Sequence, residues 1–250
     1  MFNPRYGNNP YGGGPFGGGR RGFSSRYQYE TVPQGYVNEN AGSLISKVMG
    51  LLAFSFLFAF AGGIIGIAAG LTFTTYWVVA IGGLLVLLIL NFAINTRGLN
   101  LFLLYLFTFL EGLALAPLVS LYLAVGYGNI LGEAFLITAV TSLGLSVYAW
   151  TTKRDFSGLG GKLFVGVLLL LVASIISIFF HSTFFVFLIC VAGVGLFSVY
   201  LIYNVQRARY LADTLPNAIG LTVSIFITVM NLFLYILEIL TILQGGNRRN

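Results

Sequence analysis

The chain has 250 residues, of which 8% are charged and 58% apolar, and its mean hydropathy is +0.92. A water-soluble domain carries roughly 25% charged residues, so a soluble fold is excluded and lipid is the expected solvent. Thirteen basic against seven acidic residues give a net charge of +6, but the basic residues lie almost entirely in connections and tail, which reads as a topology signal and not as a nucleic-acid surface.

Residues 1–40 are rich in Gly, Tyr, Pro, Asn and Arg, as in the run from Tyr11 to Arg21, and show no apolar periodicity. Such a segment cannot offset its ordering entropy and is expected to be a disordered cytoplasmic tail. Its interleaved Arg and Tyr could touch RNA, anionic lipid or a partner, but nothing in it specifies a ligand. It lacks the compact basic, apolar and cleavage-site order of a secretory signal, so the first helix is expected to act as an uncleaved insertion signal.

Seven predominantly apolar stretches of bilayer-spanning length follow, at 47–70, 76–95, 99–125, 130–150, 162–180, 183–203 and 217–243. About 20 residues at 1.5 Å each cross a hydrocarbon core of roughly 30 Å. The stretches are continuously apolar and do not alternate, which predicts helices over a barrel. The expected fold is an all-α polytopic bundle of seven transmembrane helices over 41–246, ending in a short polar terminus at 247–250. Short connections predict that sequential helices are antiparallel neighbours.

With the N-terminus inside, Lys47, Arg97, Lys153, Arg154, Lys162, Arg207 and Arg209 fall on the inner side and the outer loops carry no Lys or Arg. Arg248 and Arg249 then lie outside, and a re-entrant last segment with a cytoplasmic C-terminus stays open as the alternative. The expected location is the inner, plasma membrane of a bacterial cell, with the N-terminus in the cytoplasm. Gly62, Gly66 and Gly70 recur every four residues on the first span and predict close helix packing. Gly112, Ala114, Ala116 and Pro117 predict a slim, bent third span beside a cavity.

Acids inside a membrane are costly, about 2.5–3.5 kcal/mol at a helix centre. Glu111 lies mid-way along the third span, Glu133 at the outer end of the fourth and Glu238 in the outer half of the seventh. Ser224, Thr228, Asn231, Tyr235 and Glu238 are spaced four, three, four and three apart and share one stripe of the last helix. The stripe predicts a central C-terminal helix that lines a cavity; interhelical hydrogen bonding is its bland reading. Asn204 and Thr228 are each twelve positions from Pro216, so a hairpin there brings them level. Arg97, Arg207 and Arg209 ring the same side, as snorkelling residues or as a cationic inner gate.

Enzyme chemistry lacks an inventory. His181 is the only histidine, which is too few for a zinc hydrolase, and no Gly-x-Ser-x-Gly elbow positions a nucleophile. Cys190 is the single cysteine, so an intramolecular disulfide is impossible. No catalytic residue, metal site or cofactor is expected.

Four segments, in order, resemble the transmembrane Bax inhibitor motif family: Phe-Thr-Phe-Leu-Glu-Gly-Leu-Ala-Leu-Ala-Pro at 107–117, Tyr-Ala-Trp-Thr-Thr-Lys-Arg-Asp-Phe-Ser at 148–157, Phe-Ser-Val-Tyr-Leu-Ile-Tyr-Asn at 197–204 and Asn-Leu-Phe-Leu-Tyr-Ile-Leu at 231–237. The resemblance implies seven helices around a central last one, and a pH-sensitive calcium leak. It places the family's proton-sensing aspartate pair at Asn204 and Thr228, where this chain has no carboxylate and offers a cation only neutral oxygens. The expected function is therefore a calcium leak with weakened pH gating, its ion path marked by Glu111, Asn204, Thr228, Asn231 and Glu238. The alternative is a non-conducting regulator of a membrane-anchored AAA protease or stress-response partner, acting through the tail. The lipid bilayer is the one partner expected in either case, and calcium would be cargo.

Overall fold

A computed structural model describes residues 41–180 and 182–247. The glycine-rich tail, His181, Arg248 and Arg249 lie outside them. Seven α-helices follow in chain order: α1 (Ala41–Ala68), α2 (Phe73–Ala93), α3 (Leu99–Ala124), α4 (Gly128–Thr151), α5 (Gly160–Phe180), α6 (Thr183–Arg207) and α7 (Leu215–Asn247). Each is long and apolar enough to cross a membrane. Short 3-10 turns precede α5 and follow α6. Among the described residues there is no strand.

The predicted boundaries hold to within a few residues, but the predicted neighbours do not all hold. α1 packs most extensively on α3, and α4 packs on α6 and α7; α1 with α2, and α4 with α5, form no appreciable interface. α2 instead rests on α3, and α5 on α6. The helices thus form two triplets, α1–α3 and α4–α6, each with an outer helix leaning on its third member. The reason is steric. The α1–α3 contact is so close that it takes the seam a sequential pair would otherwise fill.

That contact is made by small residues. A Cβ on Gly112 would collide with the Ala59 backbone, and one on Gly62 with the Phe109 carbonyl. At Gly66 it would come within 2.5 Å of the Ala116 side chain. Without side chains in the way, the two backbones approach closely, and dispersion and backbone contacts hold helices that gain nothing from the hydrophobic effect in lipid. Gly70 does not belong to this face: it lies past the end of α1 with φ +65° and no neighbour within 4 Å of a Cβ. Its role is the left-handed turn that ends the helix.

α7 is central. Three buried clusters stack along the bundle and α7 contributes to each: Leu221 and Ile225 to one with Leu44, Val48 and Leu201; Phe226 to one with Ala59, Leu104 and Phe107; Leu232 and Leu237 to one with Ile130 and Ala134. The outward faces are apolar, with Trp77 66% and Phe179 77% exposed, a surface suited to lipid. α3 continues unbroken through a buried Pro117.

Candidate functional site

Because α2 and α7 both lean on α3 without packing on each other, a cavity of about 240 Å³ opens between the three. Its wall is Ala80, Leu84 and Leu87 from α2, Phe107, Glu111 and Leu115 from α3, and an otherwise apolar face of α7 that runs from Phe226 past Asn231 to Leu234. Glu111 and Asn231 are its two polar side chains. Glu111 has no hydrogen-bond or ion-pair partner among the described residues. Asn231 donates its Nδ2 to the Ile227 carbonyl at 2.8 Å, which leaves its Oδ1 as an acceptor. Towards the end of the bundle that carries Lys47, the floor is aromatic. Phe107 and Phe226 are fully buried with ring centres 6.1 Å apart, and Phe56 lies 5.3 Å from Phe226.

About one helical turn further in, Asn204 of α6 and Thr228 of α7 meet, both buried. Asn204 Nδ2 donates to Thr228 Oγ1 at 3.2 Å, and Thr228 Oγ1 donates to the Ser224 carbonyl at 2.6 Å. The two residues meet as expected, although the chain turns at 208–214 and Pro216 lies in the first turn of α7. Asn204 Oδ1 has no partner, and the same is true of the buried hydroxyls of Ser55 on α1 and of Thr138 and Ser142 on α4. An unmatched buried polar group costs roughly 1–3 kcal/mol. α1 and α4 both pack on α7, so these oxygens belong to the helices that surround it.

The polar stripe divides between surroundings. Ser224 bonds back to the Gly220 carbonyl at 3.0 Å. Tyr235 packs where Gly193 leaves room, with Phe197 5.8 Å away centre to centre. Asn231 alone of the five lines the cavity, and Glu238 is exposed further out. The stripe spans enough of the helix circumference that its edges face different neighbours. Glu133, also exposed, accepts a 2.6 Å hydrogen bond from Gln244.

Over residues 42–245 the chain matches the family described as Inhibitor of apoptosis-promoting Bax1. The chain belongs to the Bax inhibitor family. A Campylobacter jejuni protein of unassigned function is 34% identical over 202 residues, 78% of this chain and 87% of that one. The mouse protein lifeguard 4 is 32% identical over 163 residues, 65% and 66% of the two chains. A Vibrio cholerae relative named only as a membrane protein is 34% identical over 144 residues, 57% of this chain and 64% of its own.

At the end of the bundle that carries Lys47, this Bax inhibitor family protein has a tether that sequence reasoning missed. Gln206 is buried on α6 and holds the 152–157 connection: its Nε2 donates to the Arg154 carbonyl at 2.8 Å and its Oε1 accepts from the Phe156 amide at 3.0 Å. Arg209 donates to the Ala149 carbonyl at 3.1 Å and to that of Trp150, and its guanidinium lies 5.1 Å from the Trp150 ring centre. A cation on the last carbonyls of α4 is electrostatically favourable. Arg209 is therefore a helix cap, while Arg97 is exposed at the α2–α3 connection. A glutamine beside Arg207 in an apolar sequence was the available signal for the tether. Lys47 of α1 pairs with Asp213, just before α7, at 2.9 Å. That hydrogen bond, aided by Ser43, holds the Asp213 carboxyl below the usual aspartate range.

Proposed function

We propose that this Bax inhibitor family protein provides a slow calcium leak beside α7, with little response to pH, across a plasma membrane that its N-terminus faces from the cytoplasm. The observation that carries the reading is the cavity that joins Glu111 to Asn231 in mid-bundle. A lone carboxyl at that depth is costly unless it serves a pathway or a partner. Two oxygen-bearing side chains fall short of the six to eight oxygens of a calcium-binding site, so the arrangement suits transit and not capture.

The aromatic floor of Phe107 and Phe226 and the Asn204–Thr228 contact separate the cavity from the inner face, as expected of a closed conformation. Neither Asn204 nor Thr228 titrates near neutrality, which supports weak pH gating. Full-length protein in calcium-loaded liposomes tests the proposal. The expected result is efflux above empty liposomes, nearly constant from pH 6 to pH 8 and reduced by Glu111→Gln. Efflux equal to empty liposomes throughout that range would dismiss the leak, and unchanged efflux in Glu111→Gln would remove Glu111 from the path.

A further inference from the structure

The cavity between α2, α3 and α7 has an unusual balance of hydrogen-bonding groups. As a carboxylate, Glu111 offers only acceptors. The Asn231 amide spends one Nδ2 hydrogen on Ile227 and offers its Oδ1 as an acceptor, with one N–H left over. The rest of the wall is Ala, Leu, Phe, Ile and Met. It contains no cation and only one spare N–H, that of Asn231, and the described Lys and Arg residues lie at helix ends or in connections. Leu84 lines the cavity and is also 56% exposed on the outer surface of the bundle. The seam between α2 and α7 therefore opens sideways towards lipid.

We propose that this cavity binds a lipophilic primary ammonium, with its charged end on Glu111 and Asn231 and its alkyl body along α2 and α7 towards the membrane. The ligand brings the positive charge that the wall lacks and donors to match its surplus of acceptors, while its chain covers the apolar surface. An ammonium with three N–H groups can serve both oxygens at once; a quaternary ammonium has no donor for either. Charge complementarity in a site shielded from water favours the cation strongly over an uncharged chain of equal length. The proposal does not rest on conduction, because occupancy is read by binding, and a protein that leaks no calcium could still hold the amine.

The test uses the full-length protein in nanodiscs of phosphatidylcholine and phosphatidylglycerol, with dodecylammonium as the probe and native mass spectrometry as the readout. One saturable adduct is expected, weakened about tenfold or more, a difference of roughly one decade in Kd, by Glu111→Gln. Ala80→Phe fills the slot from α2, leaves the carboxylate in place, and is expected to weaken binding equally. It carries the test if Glu111→Gln does not fold. Dodecyltrimethylammonium and dodecanol are expected to bind at least severalfold more weakly.

A second arm replaces phosphatidylcholine with phosphatidylethanolamine. An ethanolamine lipid retained by the unaltered protein and lost in Glu111→Gln assigns the site to a lipid headgroup; retention of dodecylammonium alone assigns it to a free single-chain amine. Equal dodecylammonium binding by the unaltered protein and the folded variants would overturn the proposal, as would equal binding of dodecanol.

Discussion

Asn204 donates a 3.2 Å hydrogen bond to Thr228, joining α6 to α7 where the family resemblance places two aspartates. The contact is uncharged, so the two helices are held together at this level without a proton to gain or lose. The geometry also predicts what carboxylates would do here. Two of them at this distance share one proton, and once both ionise they repel each other.

The Asn204→Asp, Thr228→Asp double variant is therefore expected to confer pH dependence. Calcium efflux from liposomes should rise severalfold from pH 6 to pH 8 in the double variant and stay flat in the unaltered protein. A flat profile in a folded double variant would show that this contact does not control the path.

Phe226 closes the cavity floor with Phe107. Phe226→Leu keeps the site apolar but removes the ring, and is expected to raise calcium efflux severalfold, with a moderate loss of melting temperature from the void it leaves. Phe226→Trp is expected to leave efflux at or below its original level. Both are read in the same liposome assay.

Gly112 faces the Ala59 backbone with no room for a side chain. Gly112→Val is expected to destabilise the bundle by at least the ~1–3 kcal/mol typical of overpacking, seen as a large loss of melting temperature and of folded yield in detergent. Gly132, where a Cβ would meet nothing within 4 Å, is the control. Gly132→Ala is expected to leave stability unchanged or slightly raised, because alanine favours a helix.

The Lys47–Asp213 pair gives a pH prediction with a definite sign. The Asp213 carboxyl is held below its ordinary value of 3.8, chiefly by the hydrogen bond from Lys47. A group shifted down contributes stability that is complete above its ordinary value and is lost as pH falls through the lowered one. For a pair at the surface the contribution is about 0–1 kcal/mol. Lys47→Met should therefore lower the melting temperature slightly at pH 7, and the gap to the unaltered protein should close below pH 3. A gap that persists there would assign the effect to packing.

Gln206 satisfies three backbone groups of the α4–α5 region, counting a 3.4 Å bond to the Ala149 carbonyl. Gln206→Leu is expected to release the 152–157 connection, with faster amide exchange at Phe156 and faster cleavage after Lys153 or Arg154. Unchanged exchange would mean that Phe156 is held by its apolar packing alone.

Much of this was legible in the chain. Spans were readable because a membrane demands long apolar runs; the Asn204–Thr228 contact was expected from a hairpin around Pro216, and it forms although the chain turns earlier, at 208–214. The five-residue stripe on α7 was readable as a stripe, but its destination was not. Thr228 meets α6, Asn231 meets the cavity and Glu238 remains exposed, because residues within one stripe still differ in angle by most of a helix–helix seam. Gln206 went unnoticed because its partners are backbone groups of a connection about 50 positions away, which no residue pattern announces.

The sequence by itself determined that the protein lies in lipid, that it crosses as helices, roughly where each helix starts and stops, and that Glu111, Asn204 and Thr228 fall within the spans. These follow from local composition and from the energy of placing charge and unpaired backbone in hydrocarbon. The tertiary structure decided that α1 passes over its sequential neighbour to pack on α3, that α2 and α7 straddle α3, and that Glu111 and Asn231 share the space left between them. Those features arise from the close approach of Ala59 to Gly112 and of Gly62 to Phe109, contacts between distant parts of the chain whose partners are set by shape and not by residue spacing.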